Sequence, residues 1–234
     1  MATVVVFSVL AAGLVPGVGP FPSGGSLAPD TTAAGAVLMA QGIAAGAPGG
    51  PWSLAAVSGW AFTTQAFFDE NPFCIGNLTP VGGTLQNASM GPYSGDYRTG
   101  IAVLWFLTYS SPVAGGGNLV VQVDNGVAQE VGVVPQGCYG SAAVFSPLGP
   151  VIDSSVAVEA ALLTPNGTRY SSMFQEANAT YDLDSTGYGP VWWVFLSACP
   201  NEDRVAPGQF GELSASVWAA NGTVDQPPQI PVSC

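Results

Sequence analysis

Carboxylates are the side chains of this sequence that could carry out catalysis. The chain has 15 aspartates and glutamates, three arginines, and no lysine or histidine. These absences exclude Ser-His-Asp and Cys-His nucleophiles, Schiff-base chemistry and the lysine of a P-loop. Hydrolysis by two carboxylates about 5–10 Å apart is still chemically available, and the candidate acids are Glu70, Glu130, Glu159, Glu176 and Glu212. Because no motif couples any two of them, we predict that the protein is not an enzyme.

Carboxylates also bind metals, and one short motif has a suitable pattern. Residues 182–187, DLDSTG, place oxygen ligands at alternate positions before a turn glycine, as calcium loops do. The motif lacks the distal glutamate and the helix of an EF-hand, and a plain Asx turn is the alternative interpretation. Asp182 and Asp184 are therefore candidate calcium ligands in a sequence for which we predict no metal and no other cofactor.

Cysteines and glycosylation sequons indicate an extracellular or cell-surface protein. The four cysteines follow no C-x-x-C pattern, and they are Cys74, Cys138, Cys199 and Cys234. Their even number predicts two disulfides with three possible pairings, the alternative being free buried thiols in a cytosolic protein. Five N-x-S/T sequons predict N-linked glycans on Asn77, Asn87, Asn166, Asn178 and Asn221. Two of these, Asn166 and Asn221, belong to N-G-T segments that predict exposed turns.

The charge balance limits the partners. The formal net charge is −12, and charged residues make up 8% of the chain, against about 25% in an ordinary soluble domain. Nucleic acid is excluded as a partner because its binding requires basic residues that neutralise phosphates.

The N-terminal segment is the most unusual part of the organisation. Residues 3–15, TVVVFSVLAAGLV, form an uncharged apolar run that is too short to span a membrane, which takes about 20 residues. A signal peptide is one interpretation, although the basic residues that normally precede its apolar region are missing. The other is a retained arm that pairs with a neighbouring molecule through Val4, Val5, Val6, Phe7, Val9 and Leu10. We divide the chain into this arm with its Pro/Gly linker (1–27), an Ala/Gly-rich connector (28–51) and a β-sandwich domain (52–234).

Alternating apolar residues separated by turn signals predict an all-β fold, a β-sandwich or jelly-roll-like domain. Asp124-Asn125-Gly126 predicts a tight hairpin within Asn118–Val134, and a second hairpin is predicted from Val156–Leu163 and Thr168–Phe174. Further strands are predicted at Gly59–Phe68, Ile101–Tyr109, Ser141–Phe145, Pro190–Ala198 and Glu212–Ala219. A helical pattern around Ala33–Ala45 is interrupted by glycines, and no internal repeat is visible.

The six tryptophans could stack on sugar rings or pack in the core, and their place within apolar strands favours the core. Trp192 and Trp193 are consecutive in a predicted strand. They must therefore point to opposite faces of the sheet, and one of them should enter the core.

With these features the chain resembles secreted archaeal filament subunits of the thread and bundling-pilus kind. The resemblance rests on Thr3–Val15, the sequons and the β pattern that begins at Trp52. It implies a structural subunit of an extracellular filament, in which the N-terminal strand of one copy inserts into the next copy. The partners would then be identical subunits. The alternatives are a viral jelly-roll capsid protein, a secreted carbohydrate-binding or adhesive module, and a secreted acid hydrolase.

Overall fold

The described part of the protein is built on one large antiparallel sheet, which confirms the prediction of an all-β fold. The computed structural model describes residues 31–61, 96–112, 117–124, 126–135, 148–175, 177–186, 188–198 and 211–229. The eight strands, in chain order, are β1 (Ser53–Trp60), β2 (Leu104–Ser110), β3 (Gly117–Asp124), β4 (Val127–Pro135), β5 (Asn178–Thr186), β6 (Gly189–Ser197), β7 (Glu212–Trp218) and β8 (Val224–Gln229). Their spatial order is β4-β3-β2-β1-β5-β6-β7-β8.

Three α-helices accompany the sheet within the described residues. They are α1 (Ala33–Gly46), α2 (Ser154–Leu162) and α3 (Pro165–Met173). Helix α1 packs against β2, β3 and β4, whereas α2 packs against β6, β7 and β8. Their buried residues belong to the same apolar cluster as Trp105, Tyr181 and Trp192 of the sheet, so the helices cover one face, called here the helix face.

The two described halves of the sheet repeat the same topology, although the sequence shows no repeat. Each is a four-stranded meander, preceded by α1 in the first half and by α2 and α3 in the second. The halves meet where β1 pairs antiparallel with β5, and this pairing is compatible with a pseudo-twofold axis perpendicular to the sheet. Two matching hydrogen bonds show which residues of the two halves are equivalent. The Trp105 Nε1 donates to the Thr31 carbonyl at 2.9 Å, and the Trp192 Nε1 donates to the Ile152 carbonyl at 3.0 Å. Each of these carbonyls belongs to the residue just before a helix N-cap.

The N-termini of α1 and α2 meet near this axis and share one capping carboxylate. Asp153 Oδ1 accepts a hydrogen bond from the Ser154 N–H at 2.8 Å and another from the Ala34 N–H at 3.0 Å. The Ser154 hydroxyl accepts from the Ala33 N–H at 3.1 Å and donates to the Gly100 carbonyl at 2.7 Å. The N–H groups that a helix end leaves without intrahelical partners are thus bonded across the two halves.

Helix α3 follows α2 directly and has its own end signals. The Thr164 hydroxyl accepts from the Gly167 N–H at 3.0 Å, and Pro165 occupies the first helical turn, where a missing N–H costs nothing. At the other end the Arg98 guanidinium donates to the Ser171 and Phe174 carbonyls at 3.1 and 2.9 Å. Arg98 therefore stabilises the C-terminal end of α3.

The predicted elements agree with the structure in part. The hairpin at Asp124-Asn125-Gly126 is confirmed, since Asp124 pairs with Val127, and β2, β6 and β7 lie where strands are predicted. The second hairpin is wrong: 156–162 belongs to α2, and 168–173 belongs to α3. The Ala-rich segment forms α1 despite its glycines, because seven of its residues are buried and packing outweighs low propensity. The strand predicted at Ser141–Phe145 lies outside the described residues, as do residues 62–68 of the one predicted at Gly59–Phe68.

Candidate functional site

The sheet face opposite the helices carries the polar and aromatic residues from which a functional site could be built. Ser58 of β1 lies directly opposite Asp182 of β5, and these two positions correspond through the pseudo-twofold axis. Trp105 and Trp192 are equivalent residues, and they lie opposite Gly59 and Leu183 respectively. Gly59 and Leu183 are therefore equivalent, and so are the residues that precede them, Ser58 and Asp182. The Ser58–Asp182 pair therefore lies at the midline of the fold.

A short chain of hydrogen bonds connects this pair to an indole. The Ser58 hydroxyl donates to Asp182 Oδ1, and the Trp60 Nε1 donates to the Ser58 oxygen at 2.8 Å. Trp60 is buried and contacts Phe106 edge-to-face with ring centroids 5.6 Å apart. We call Ser58, Trp60 and Asp182 the midline cluster. The D-x-D motif at 182–187 identifies Asp182 alone among the three residues, because Ser58 and Trp60 belong to β1, which is distant in the sequence.

Burial gives the two aspartates of β5 unusual acid–base properties. It raises the pKa of Asp182 to about 6, against the opposing effect of the Ser58 hydrogen bond and with a smaller contribution from the Asp184 charge. Burial also raises the pKa of Asp184. Removing a carboxylate from water disfavours its charged form, and Asp182 consequently takes up a proton in mildly acidic solution.

The calcium motif does not form the predicted turn. Asp182 and Asp184 belong to strand β5, which pairs along its length with β6, and the alternate spacing puts both on the same face of the sheet. Within the part of the chain that the structure describes, no group of three or more Asp, Glu, Cys or His side chains is gathered as a metal site. The D-x-D pattern here reflects strand alternation.

Two exposed aromatic residues lie beside these aspartates on β6. Trp193 is 45% exposed and Phe195 is 42% exposed. The side chain of Trp192 lies on the helix face and is fully buried. The expectation that consecutive tryptophans point to opposite faces, with one in the core, is thus confirmed. Trp193 lies opposite Asp182 on one side and Ser216 on the other.

The two edge strands differ in their capacity for further pairing. Strand β4 pairs with β3 alone among the described strands, and β8 pairs with β7 alone. Strand β8 contains Pro227 and Pro228, which have no N–H to donate. Strand β4 has one proline, Pro135, at its last position, and it exposes the side chains of Val127 (64%) and Val133 (41%).

The predicted glycan acceptors occupy different environments. Asn221 lies in an exposed turn, and its side-chain oxygen accepts from the Thr223 N–H at 2.9 Å, so the prediction of an Asn-Gly turn at this site is confirmed. The same prediction for Asn166 is wrong, because Asn166 is in the first turn of α3. Asn178 is the first residue of β5, where it pairs with Ser197.

Several predicted site residues lie outside the described ranges. They are the four cysteines Cys74, Cys138, Cys199 and Cys234, the sequon residues Asn77 and Asn87, the arm residues Val4, Val5, Val6, Phe7, Val9 and Leu10, and the candidate acids Glu70 and Glu176. The other candidate acids belong to three separate elements, Glu130 to β4, Glu159 to α2 and Glu212 to β7.

Comparison of the chain with protein-family models, with curated proteins and with solved structures finds no match. Among the described helices, none has the length and apolar character needed to cross a bilayer.

Proposed function

We propose that this chain is a structural subunit of an extracellular filament, in which the N-terminal strand of one copy pairs with the β4 edge of the next. The observation that carries the proposal is that β4, at one edge of the sheet, pairs with β3 alone among the described strands. An edge strand presents unpaired backbone N–H and C=O groups, and an added strand satisfies them while its alternate side chains fill grooves.

The difference between the edges gives the proposed contact a direction. Pro227 and Pro228 interrupt the N–H row of β8, whereas β4 has N–H groups from Val127 to Val134. The proposed donor, 3–15, is rich in β-branched residues near its start, a composition that favours strands. A donor strand and a separate acceptor edge make a heterologous contact, which produces an open polymer when the rotation between copies does not close.

The low charge of the chain is compatible with this role. With 8% charged residues, a monomer has few of the charged side chains that usually cover the surface of a soluble domain. Burial against identical neighbours and N-linked sugar at exposed sites such as Asn221 would reduce the need for such charge. The proposal includes no catalytic activity.

The proposal is tested with two variants that remove opposite halves of the contact. Deletion of residues 1–15 removes the donor strand, and Val133→Lys places a charge on the acceptor edge, which discourages strand addition. Val156→Lys is the matched control, because Val156 is 43% exposed but lies on helix α2. We expect filaments in electron micrographs of the wild type and of the control, and monomers for each of the other two variants.

Mixing provides the decisive result. The V133K protein still donates and the truncated protein still accepts, so an equimolar mixture should give heterodimers of twice the monomer mass in analytical ultracentrifugation. Filaments of normal length from the truncated protein would refute the proposal, as would a natural mature protein whose N-terminal sequence begins after residue 15. Closed shells in the wild-type micrographs would instead favour the capsid alternative.

A further inference from the structure

We infer that the exposed face of β6 is a binding site for a neutral hexopyranose oligosaccharide, with Trp193 and Phe195 as its stacking platform. This inference does not depend on filament assembly, and either can fail alone. Both side chains are on the face opposite the helices, at alternate positions of one strand, so their Cα atoms are about 6.6 Å apart. That spacing allows each ring to lie beneath one ring of a short oligosaccharide.

Hydrogen-bonding groups flank the platform on both sides. Strand β5 places Asp182 opposite Trp193 and Thr180 opposite Phe195. Strand β7 places Ser214, which is half-buried, opposite Phe195, whereas Ser216 opposite Trp193 is buried. Neighbouring strands are about 4.8 Å apart, so carboxylate and hydroxyl positions border an apolar strip one strand wide. A pyranose has this same distribution of chemistry, with apolar C–H faces and a rim of hydroxyl groups.

The size of the apolar strip argues against a second protein as its occupant. The exposed parts of Trp193 and Phe195 (45% and 42%) amount to an area on the order of 200 Å², since each aromatic side chain presents about 150–250 Å² in all. A stable protein interface buries about 800 Å² per partner. A strip of this width matches one or two sugar rings.

The other half of the fold shows that exposed aromatics are not a requirement of the sheet. The pseudo-twofold correspondence pairs Trp193 with Phe106 and Phe195 with Thr108. Phe106 is 3% exposed and Thr108 is 7% exposed. The second half thus presents an aromatic surface where the first half presents none.

Charge selects the class of saccharide. Two carboxylates, Asp182 and Asp184, lie on the platform face of β5, and the whole chain has a formal net charge of −12. Both features repel uronic acids and sulfated sugars, which leaves neutral sugars with hydroxyl donors for the carboxylates and for the Ser214 hydroxyl.

The experiment measures binding of four neutral tetrasaccharides to the full chain by intrinsic tryptophan fluorescence and calorimetry. The probes are the β-1,4-linked tetraoses of glucose, mannose and N-acetylglucosamine, and the α-1,4-linked tetraose of glucose, with oligogalacturonate as the anionic comparison. We expect at least one neutral probe to bind, with about tenfold weaker binding for Trp193→Ala and no measurable binding for the Trp193→Ala, Phe195→Ala double variant. Tyr188→Ala is the matched control, because Tyr188 is 93% exposed but lies in the turn between β5 and β6, and it should bind as the wild type does.

Thermal unfolding of each variant confirms that it is folded before it is titrated. Binding of oligogalacturonate as tight as that of the neutral probes would overturn the inference, and so would unchanged affinity in the double variant or no binding of any neutral probe. A sugar-free sedimentation profile that changes with Trp193→Ala would also overturn it, since the face would then be a contact between copies.

Discussion

Replacing Asp182 by asparagine should change how the stability of the protein depends on pH. Burial raises the pKa of this carboxyl from 3.8 to about 6, so the folded state binds the proton more tightly than the unfolded chain. The stability that protonation provides is therefore complete below about pH 4 and is lost as the pH rises through 6. At 1.36 kcal/mol per pKa unit, the loss between these limits is about 3 kcal/mol.

Asparagine keeps the shape of the group without its titration. Its side-chain oxygen can still accept the hydrogen bond that Ser58 donates to Asp182, so the main change is removal of the buried charge. We expect Asp182→Asn to match the wild type near pH 4 and to be more stable by about 3 kcal/mol at pH 8. In a chain of this size that difference raises the melting temperature by roughly 6–12 °C.

The assay is urea unfolding monitored by tryptophan fluorescence at pH values from 4 to 8. Asp225→Asn is the control for net charge, since it removes one negative charge at an exposed position of β8. The quantity to compare is the difference in unfolding free energy between wild type and variant at each pH. Parallel curves for the wild type and Asp182→Asn over the whole range would refute the reasoning.

Five further variants examine the packing and the helix ends. Gly59→Ala should destabilise the protein by about 3 kcal/mol or prevent folding, because a Cβ at this position would overlap the Trp105 ring; the yield of folded protein and its urea midpoint provide the measurement. Trp105→Phe and Trp192→Phe each remove an indole hydrogen bond to a residue before a helix N-cap and should each cost about 2 kcal/mol. Markedly unequal losses in calorimetry would contradict the structural equivalence of the two sites. Asp153→Ala removes a cap shared by two helices and should cost about 2–3 kcal/mol, measured by thermal unfolding, with Asp153→Asn recovering most of it.

The sequence was sufficient for the strands that have an unambiguous period or a tight-turn signal. The hairpin at Asp124-Asn125-Gly126 is an example, because its turn chemistry depends only on adjacent residues. The sequence predicts a hairpin where the structure has α2 and α3, because small apolar residues at 156–163 fit alternation as well as a helical period. Two signals could have corrected this: Asp153 is a good N-cap, and Thr164 followed by Pro165 is the usual start of a helix.

The candidate site was harder to foresee, since its members come from strands that are far apart in the chain. The sequence predicts Asp182 and Asp184 as calcium ligands in a turn, but a strand tolerates the same D-x-D spacing, and both residues lie on β5. Ser58 and Trp60 carry no signal of their own, because only the pairing of β1 with β5 brings Ser58 opposite Asp182. The sequence alone does not show whether Trp192 or Trp193 is the exposed one, because that depends on which face of the sheet the helices cover.

The carboxylate of Asp153 has a consequence for how this protein unfolds. It bonds to N–H groups of both α1 and α2, while β1 and β5 supply each other's backbone partners. Separation of the halves would therefore leave two helix ends and two new strand edges without partners at once. The duplicated topology thus does not provide two modules that can open one after the other. It makes a single cooperative unit, because separating the halves breaks hydrogen bonds that belong to both of them.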